Sequence, residues 1–334
     1  MKKRHYNIPI FIPELACPFQ CIYCNQQKIS GRLSIPTEEE ILKIIDDHLS
    51  TIPVENSEIE LAFFGGNFTG IDKSEQIRLL KLINPYLKSG RIKGIRISTR
   101  PDYINEEILK MLKDFGVRTI EIGAQSLDDR VLHFSKRGHT SKDTEQAAKM
   151  ILEAGFSLGL QMMIGLPGDT LESAKYTAKR IVELGANNTR IYPTLVIRDT
   201  IMEKMYHEGR FKPLSLEQAV SWSKELLLIF EKADVNVIKL GLHPSEGLLS
   251  GEELIAGPFH LSFRELVLTE IWNDILKSLL HVENPSEIEI HIPPSQINYA
   301  VGYGGRNKKM LLGKFGKVKF IADTKLKDRE FREV

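Results

Sequence analysis

The sequence predicts an α/β fold, a partial TIM-like (βα)6 barrel with a C-terminal α/β extension. Three observations carry that expectation. Short β-type apolar runs alternate with longer segments of helical period, the pattern of parallel βαβ units. The helical segments open on capping residues and several close on a glycine. The cysteine-rich motif follows the first strand directly, at the carboxyl end where a parallel barrel places its chemistry.

The elements follow in order. Strands are expected near 7–12, 58–64, 94–98, 119–123, 157–164 and 189–193. The helix over 37–48 opens with Thr37-Glu38-Glu39-Glu40, a capping-box spacing. Further helices are expected over 73–87, 105–115, 141–154 and 171–184, with Gly116, Gly155 and Gly185 at their ends. Beyond them, a helix over 215–230 and a strand over 235–240 begin the extension. This organisation predicts a catalytic barrel over 1–200 and an extension over 201–334 that covers its open side and contributes to the substrate pocket.

Composition narrows the class. A chain of 334 residues with 42% hydrophobic content can bury a large core. The formal net charge of +1 gives no global basic field to demand nucleic acid. No apolar run approaches the ~20 residues needed to cross a bilayer, and Pro9, Pro13 and Glu14 interrupt the stretch after the basic start, so no signal peptide is expected. These features predict a cytoplasmic enzyme without a membrane partner.

The three cysteines, Cys17, Cys21 and Cys24, stand at C-x3-C-x2-C spacing. They are one ligand short of a structural zinc site or an ordinary four-cysteine cluster. The histidines lack the spacing that would complete a zinc site, and a disulfide framework does not suit so few cysteines in a chain of this length. Three thiolates on a four-iron cluster leave one iron open. This motif, with Tyr23 before its last cysteine, resembles the signature of the radical S-adenosylmethionine superfamily. The resemblance implies one 4Fe-4S cluster held by Cys17, Cys21 and Cys24, with S-adenosylmethionine on the open iron. In that family the pair yields a 5'-deoxyadenosyl radical that abstracts a substrate hydrogen, and an electron donor such as flavodoxin or ferredoxin is expected to reduce the cluster.

Later strand ends extend the cofactor site. Gly65-Gly66-Asn67 follows the second strand; it resembles the family's GGE motif, whose backbone receives the methionine amino group, with Asn67 where glutamate is commonest. Ser98 and Arg100 end the third strand with a hydroxyl and a guanidinium suited to ribose and carboxylate, or merely start a helix. The resemblance places Tyr23, Gln125 and Arg137 near S-adenosylmethionine. It sets Met163 and Gly165, on the turn after the fifth strand, against adenine, although the methionines can also be core filler.

Residues 24–31, 63–69, 98–102, 137–140 and 191–197 together resemble the radical domain of the elongator catalytic subunit, and more generally oxygen-independent coproporphyrinogen oxidase. The likeness covers roughly 7–200 and extends through 241–244 and 256–260. The stretch after Glu265 is too short for the acetyltransferase domain of that family, so a short stand-alone form is expected. Among such relatives one activity is queuine lyase, which splits queuine at a carbon-nitrogen bond to give 7-aminomethyl-7-deazaguanine. A small-molecule substrate, queuine or a related nucleobase, is therefore the leading expectation, with Tyr192, Arg198, His243, Glu246 and His260 as candidate contacts that can equally be structural. The alternatives are tRNA or nucleoside modification by the same chemistry, and a non-catalytic iron-sulfur redox sensor. The basic stretch Lys308, Lys309, Lys314, Lys317 and Lys319 reads as a solvated face more than an RNA groove.

Overall fold

Seven parallel strands form the body of the protein, seen in a computed structural model that describes residues 4–12, 17, 21–25, 34–53, 55–242, 245–281 and 286–334. The first half alternates β1 (Arg4–Ile12), α1 (Glu38–Thr51), β2 (Ser57–Gly65), α2 (Lys73–Lys88), β3 (Gly94–Thr99), α3 (Glu106–Asp114), β4 (Val117–Gln125), α4 (Asp129–Phe134) and α5 (Ser141–Glu153). It continues with β5 (Ser157–Ile164), α6 (Leu171–Glu183), β6 (Asn188–Pro193), β7 (Val196–Ile197), α7 (Ile201–His207), α8 (Leu216–Lys232) and β8 (Asn236–Leu240). The sheet order is β1-β2-β3-β4-β5-β6-β8.

Each strand has two faces with opposite chemistry. Ile8, Ile10, Ile12, Leu61, Phe63, Ile95, Ile97, Ile120, Ile122, Leu158, Leu160 and Ile191 are buried in one apolar core with the inward faces of the helices. The alternate positions carry Asn7, Glu60, Arg96, Glu121, Gln161 and Arg190, as the period of two in a strand requires. Asn7 on one edge strand and Lys239 on the other line the same cavity, so the sheet curls into a half-barrel around its polar face.

Helix starts are set locally. The capping box expected at Thr37 and Glu40 is present, and further boxes open α5 (Thr140, Asp143), α6 (Thr170, Ser173) and α8 (Ser215, Gln218). Each satisfies two of the N–H groups that a helix start leaves unpaired.

Sequence reasoning expected six barrel strands, and the structure has seven. The seventh, β8, lies in the stretch assigned to the extension but pairs in parallel with β6, so the sheet continues past residue 200. The chain then runs through α9 (Glu246–Ser250), β9 (Leu254–Ala256), α10 (Phe263–Leu276), β10 (Glu287–Ile292), α11 (Ile297–Val301), α12 (Arg306–Leu312), β11 (Lys317–Ala322) and β12 (Arg332–Glu333). β11, β10 and β12 form a small separate sheet. Phe263, Val267, Leu268 and Ile271 of α10 join the barrel core, while its Trp272 and Leu276 join a second core with Ile288, Ile290, Leu311 and Phe315. That helix is buried on both sides and ties the small sheet to the barrel.

Candidate active site

The carboxyl ends of the barrel strands open into a cavity of about 750 Å3, within the ~300–1,000 Å3 usual for ligand sites. Cys17, Cys21 and Cys24 all line its mouth, and none is in a disulfide. Among the described residues no three histidine, cysteine or acidic side chains converge on a point that would hold a single metal ion. A single ion would need such convergence, whereas in a cluster each thiolate takes its own iron.

Backbone shape and side chains build the wall beside the cysteines. Gly65 ends β2 at φ +124°, and a Cβ there would stand 1.8 Å from the Ile12 carbonyl oxygen, so only glycine lets the two strand ends approach this closely. Gly123 leaves room for Arg137, whose Nη2 donates to the Gly123 carbonyl at 2.9 Å and whose Nη1 lies 3.4 Å from Cys21 Sγ. The guanidinium thus faces the thiolate site. Gln125 closes β4 with φ +64° and accepts from Gln161 Nε2 at 3.3 Å.

The floor is a chain of buried charges on the strands' inner face. Glu60 accepts from Arg96 at 2.9 and 3.1 Å, from Thr119 at 2.9 Å, and pairs with His5 at 3.0 Å. Burial tends to raise its carboxyl, but the His5, Arg96 and Thr119 contacts prevail and hold it at about 2. Arg96 also reaches Glu121, whose carboxylate is gripped from the other side by Arg190 Nε at 2.8 Å and Nη2 at 3.0 Å. Arg190 lies 4.7 Å over the Phe64 ring and donates to Tyr192 Oη at 3.4 Å. Burial pushes the Tyr192 hydroxyl up, so it is a neutral donor and acceptor at neutral pH. Gly159 makes space for this layer, since a Cβ there would meet Asn188 Oδ1 at 2.6 Å and Glu121 Cγ at 2.8 Å.

Tyr23, Gly65, Gly66, Ser98, Gln125, Arg137 and Met163, all expected near the cofactor, line the cavity, as do Tyr192 and Glu246 from the substrate set. Five others lie elsewhere. Asn67 is buried, with its Oδ1 accepting from the Thr99 hydroxyl at 2.6 Å and the Arg100 amide at 3.3 Å, so its side chain braces the turn. Arg100 is fully buried and clamps Asp102 at 2.9 and 2.8 Å, not a ligand at the mouth. Gly165 is covered by Leu214 and donates its amide to Asp169. Arg198 is exposed and donates to the Glu252 carbonyl at 2.7 Å. His260 accepts from the Ser262 amide at 3.0 Å and stands edge-on to Tyr303. His243 and the stretch 26–31 lie outside the described residues.

Sequence reasoning missed Asn7, Glu121, Gln161, Arg190, Lys239 and Ser245 as cavity residues. The available signal was a polar or charged residue at an inward position of a strand, such as Arg190 between Thr189 and Ile191 or Lys239 between Ile238 and Leu240.

A half-barrel with three thiolates and a glycine turn at its mouth defines an enzyme class built around a cysteine-held cluster. The sequence model of the radical SAM superfamily matches residues 12–181, and that of the Radical_SAM C-terminal domain matches 186–273. The chain belongs to the radical SAM superfamily, whose members use a 4Fe-4S cluster and S-adenosylmethionine. It is 29% identical over 204 residues to the tRNA uridine(34) acetyltransferase of Methanocaldococcus jannaschii, covering 54% of this chain and 38% of that one. It is 25% identical over 258 residues to the heme chaperone HemW of Bacillus subtilis, covering 76% of this chain and 66% of that one. Among solved structures, the archaeal Methanocaldococcus infernus Elp3 with an N-terminal deletion superposes with a TM-score of 0.64 at 21% identity, covering 83% of this chain and 64% of that one. The chain thus spans less than two thirds of the length of the archaeal acetyltransferases it matches.

The residues present fit the family's cofactors. Cys17, Cys21 and Cys24 would hold the cluster, with the Arg137 guanidinium beside Cys21 offsetting thiolate charge. The backbone of Gly65 and Gly66, with Ser98, Gln125 and Met163, would face S-adenosylmethionine along the same wall.

Proposed function

We propose that this chain is a carbon-nitrogen lyase acting on a free modified nucleobase in the cytoplasm, the specific reaction being cleavage of queuine to 7-aminomethyl-7-deazaguanine. One observation supports this reading above others: the cysteine mouth and the charged floor share one cavity of about 750 Å3, a volume for small molecules. With the cluster reduced by a flavodoxin- or ferredoxin-type donor, the cofactors that Cys17, Cys21 and Cys24 would hold would supply hydrogen-abstracting radical chemistry, directed at the cyclopentenediol ring. The protein's part is to hold the base on the floor with the ring toward the mouth, and to keep water out.

The second reading is tRNA or nucleoside modification, favoured by the name of the archaeal relatives, tRNA uridine(34) acetyltransferase. Against it, much of the C-terminal basic stretch is occupied within the protein: Lys317 pairs with Glu287 at 2.8 Å, Lys319 with Glu289, and Lys314 donates to the Leu280 carbonyl. A non-catalytic redox sensor would have no need of the cavity below the cysteines.

The test is anaerobic reconstitution with iron and sulfide, then incubation with S-adenosylmethionine, dithionite and queuine. The lyase reading expects 5'-deoxyadenosine and 7-aminomethyl-7-deazaguanine to rise together by mass spectrometry. 5'-Deoxyadenosine without the base product turns the reading toward nucleosides and tRNA, whose binding would weaken steeply with salt.

A further inference from the structure

The charges along the cavity are not all paired with one another, and the unpaired ones describe a ligand. The charged side chains that line it are Arg137, Arg190, Lys239, Glu121 and Glu246. Arg137 is committed to Cys21 and the Gly123 carbonyl, and Arg190 to both oxygens of Glu121. Lys239 and Glu246 remain, and neither makes a hydrogen bond or ion pair with a described residue. Asn7 Oδ1 and Ser245 Oγ, neutral groups on the same walls, are also buried without a hydrogen-bond partner among the described residues. A buried polar atom without a partner costs free energy unless a ligand or water satisfies it.

Position adds to this. Gln161, Arg190 and Lys239 are register neighbours on β5, β6 and β8 and lie side by side in one row of the floor. Lys239 therefore stands beside a guanidinium already paired with both oxygens of Glu121, half-buried, at the edge of the sheet.

We infer that Lys239 donates a hydrogen bond to the ring-carbonyl oxygen of the substrate base and selects an oxo base over an amino base. The reasoning is one of matching. An ammonium is donor only, so its partner must offer a lone pair. A carboxylate or phosphate would satisfy Lys239 but bring no donor for Glu246 or Asn7 Oδ1. An amide-type edge, carbonyl next to ring N–H and exocyclic amine, supplies acceptor and donors together with no net charge. That is the edge of a guanine-like base. An adenine-like edge would turn its amino group toward the ammonium, donor against donor.

The inference rests on the reading of the cavity as a free-base site, and its test separates the two. Equilibrium binding of 7-deazaguanine and of 2-amino-7-deazapurine, which lacks the carbonyl oxygen and with it the ring N–H, is measured on the reconstituted enzyme with S-adenosylmethionine present. The wild type is expected to prefer 7-deazaguanine, with roughly 10- to 100-fold of the preference owed to one hydrogen bond to a charged donor. Lys239→Met is expected to lower the preference by that factor while leaving S-adenosylmethionine affinity unchanged. A wild type that binds both bases alike, or neither, overturns the inference whatever the variant does, and so does a preference undiminished in Lys239→Met. Preference for 7-deazaguanine without cleavage of queuine sustains the inference and defeats the lyase; cleavage by Lys239→Met at undiminished affinity does the reverse.

Discussion

The mouth and the floor of the cavity are built by opposite means. At the mouth, Cys17, Cys21 and Cys24 stand within eight residues of sequence, and their function follows from residue type and local spacing. On the floor, the chain His5–Glu60–Arg96–Glu121–Arg190–Tyr192 draws on five strands, and every link but the last, between Arg190 and Tyr192 of β6, joins residues that only the curled sheet brings together. The mouth is therefore replaceable chemistry on a fixed frame, while the floor is part of the frame. Removing a group from the mouth should cost activity and little stability, and removing one from the floor should cost stability.

The largest effect expected on this contrast is at the mouth. Cys21→Ala should bring cluster content and 5'-deoxyadenosine formation to background, because no other cysteine exists to replace it. Its denaturant midpoint without the cluster should match that of the equally treated wild type. A marked fall in that midpoint would mean the loop is structural, and the contrast would fail.

The floor counterpart is Glu121→Ala. The carboxylate is buried between Arg96 and Arg190, so its loss strands the Arg190 guanidinium over Phe64 without an anion. Breaking a buried pair in this way costs about 3–5 kcal/mol. Urea denaturation of the cluster-free protein would read it, and a loss below about 1 kcal/mol would show that solvent reaches the floor freely.

A pH series sharpens the same point. Glu60 is held at about 2, against an ordinary 4.5, and is nearly inaccessible to solvent. A depressed carboxylate stabilises the fold above its unfolded pKa, and that contribution is lost as pH falls through the folded one. The loss should therefore run from about pH 4.5 down to 2 and amount to about 3 kcal/mol. Unfolding free energies of wild type and Glu60→Gln at pH 6 and pH 3 would show it as a gap that narrows in acid. A gap independent of pH would mean the His5 and Arg96 contacts do not favour the charged form.

The same division explains what could be read from sequence. Alternation of apolar runs and capped helices located the six strands through β6, because the outward face of each strand is a plain row of Ile, Leu and Val. The thiolate motif located the mouth. β8 was recognised as a strand but not as part of the barrel, since a stretch of five residues does not state its partner and the connection from β6 holds two helices and β7. The floor was illegible for a physical reason: Glu60, Arg96, Glu121 and Arg190 look like ordinary polar positions on half-exposed strands until the sheet curls and buries them against one another. Arg100 misled in the other direction, a guanidinium at a strand end that the fold spends on Asp102.

Asn67 stands between the two regions and gives the smallest effect. It follows the glycine turn at the mouth, yet it does not line the cavity, and its side chain accepts from Thr99 Oγ1 and the Arg100 amide, both buried. Thr99 in turn lies 2.5 Å from the Thr69 hydroxyl, so one amide oxygen fixes the ends of β2 and β3 relative to each other. If the side chain is a brace, Asn67→Ala should cost about 1–3 kcal/mol of stability, the usual consequence of leaving buried donors without an acceptor. S-adenosylmethionine affinity of the folded, reconstituted variant should stay at the wild-type value, because the glycine backbone of Gly65 and Gly66 forms that wall without it. A fall in affinity at unchanged stability would move Asn67 to the mouth, and would mean that the turn changes shape when the cofactor enters.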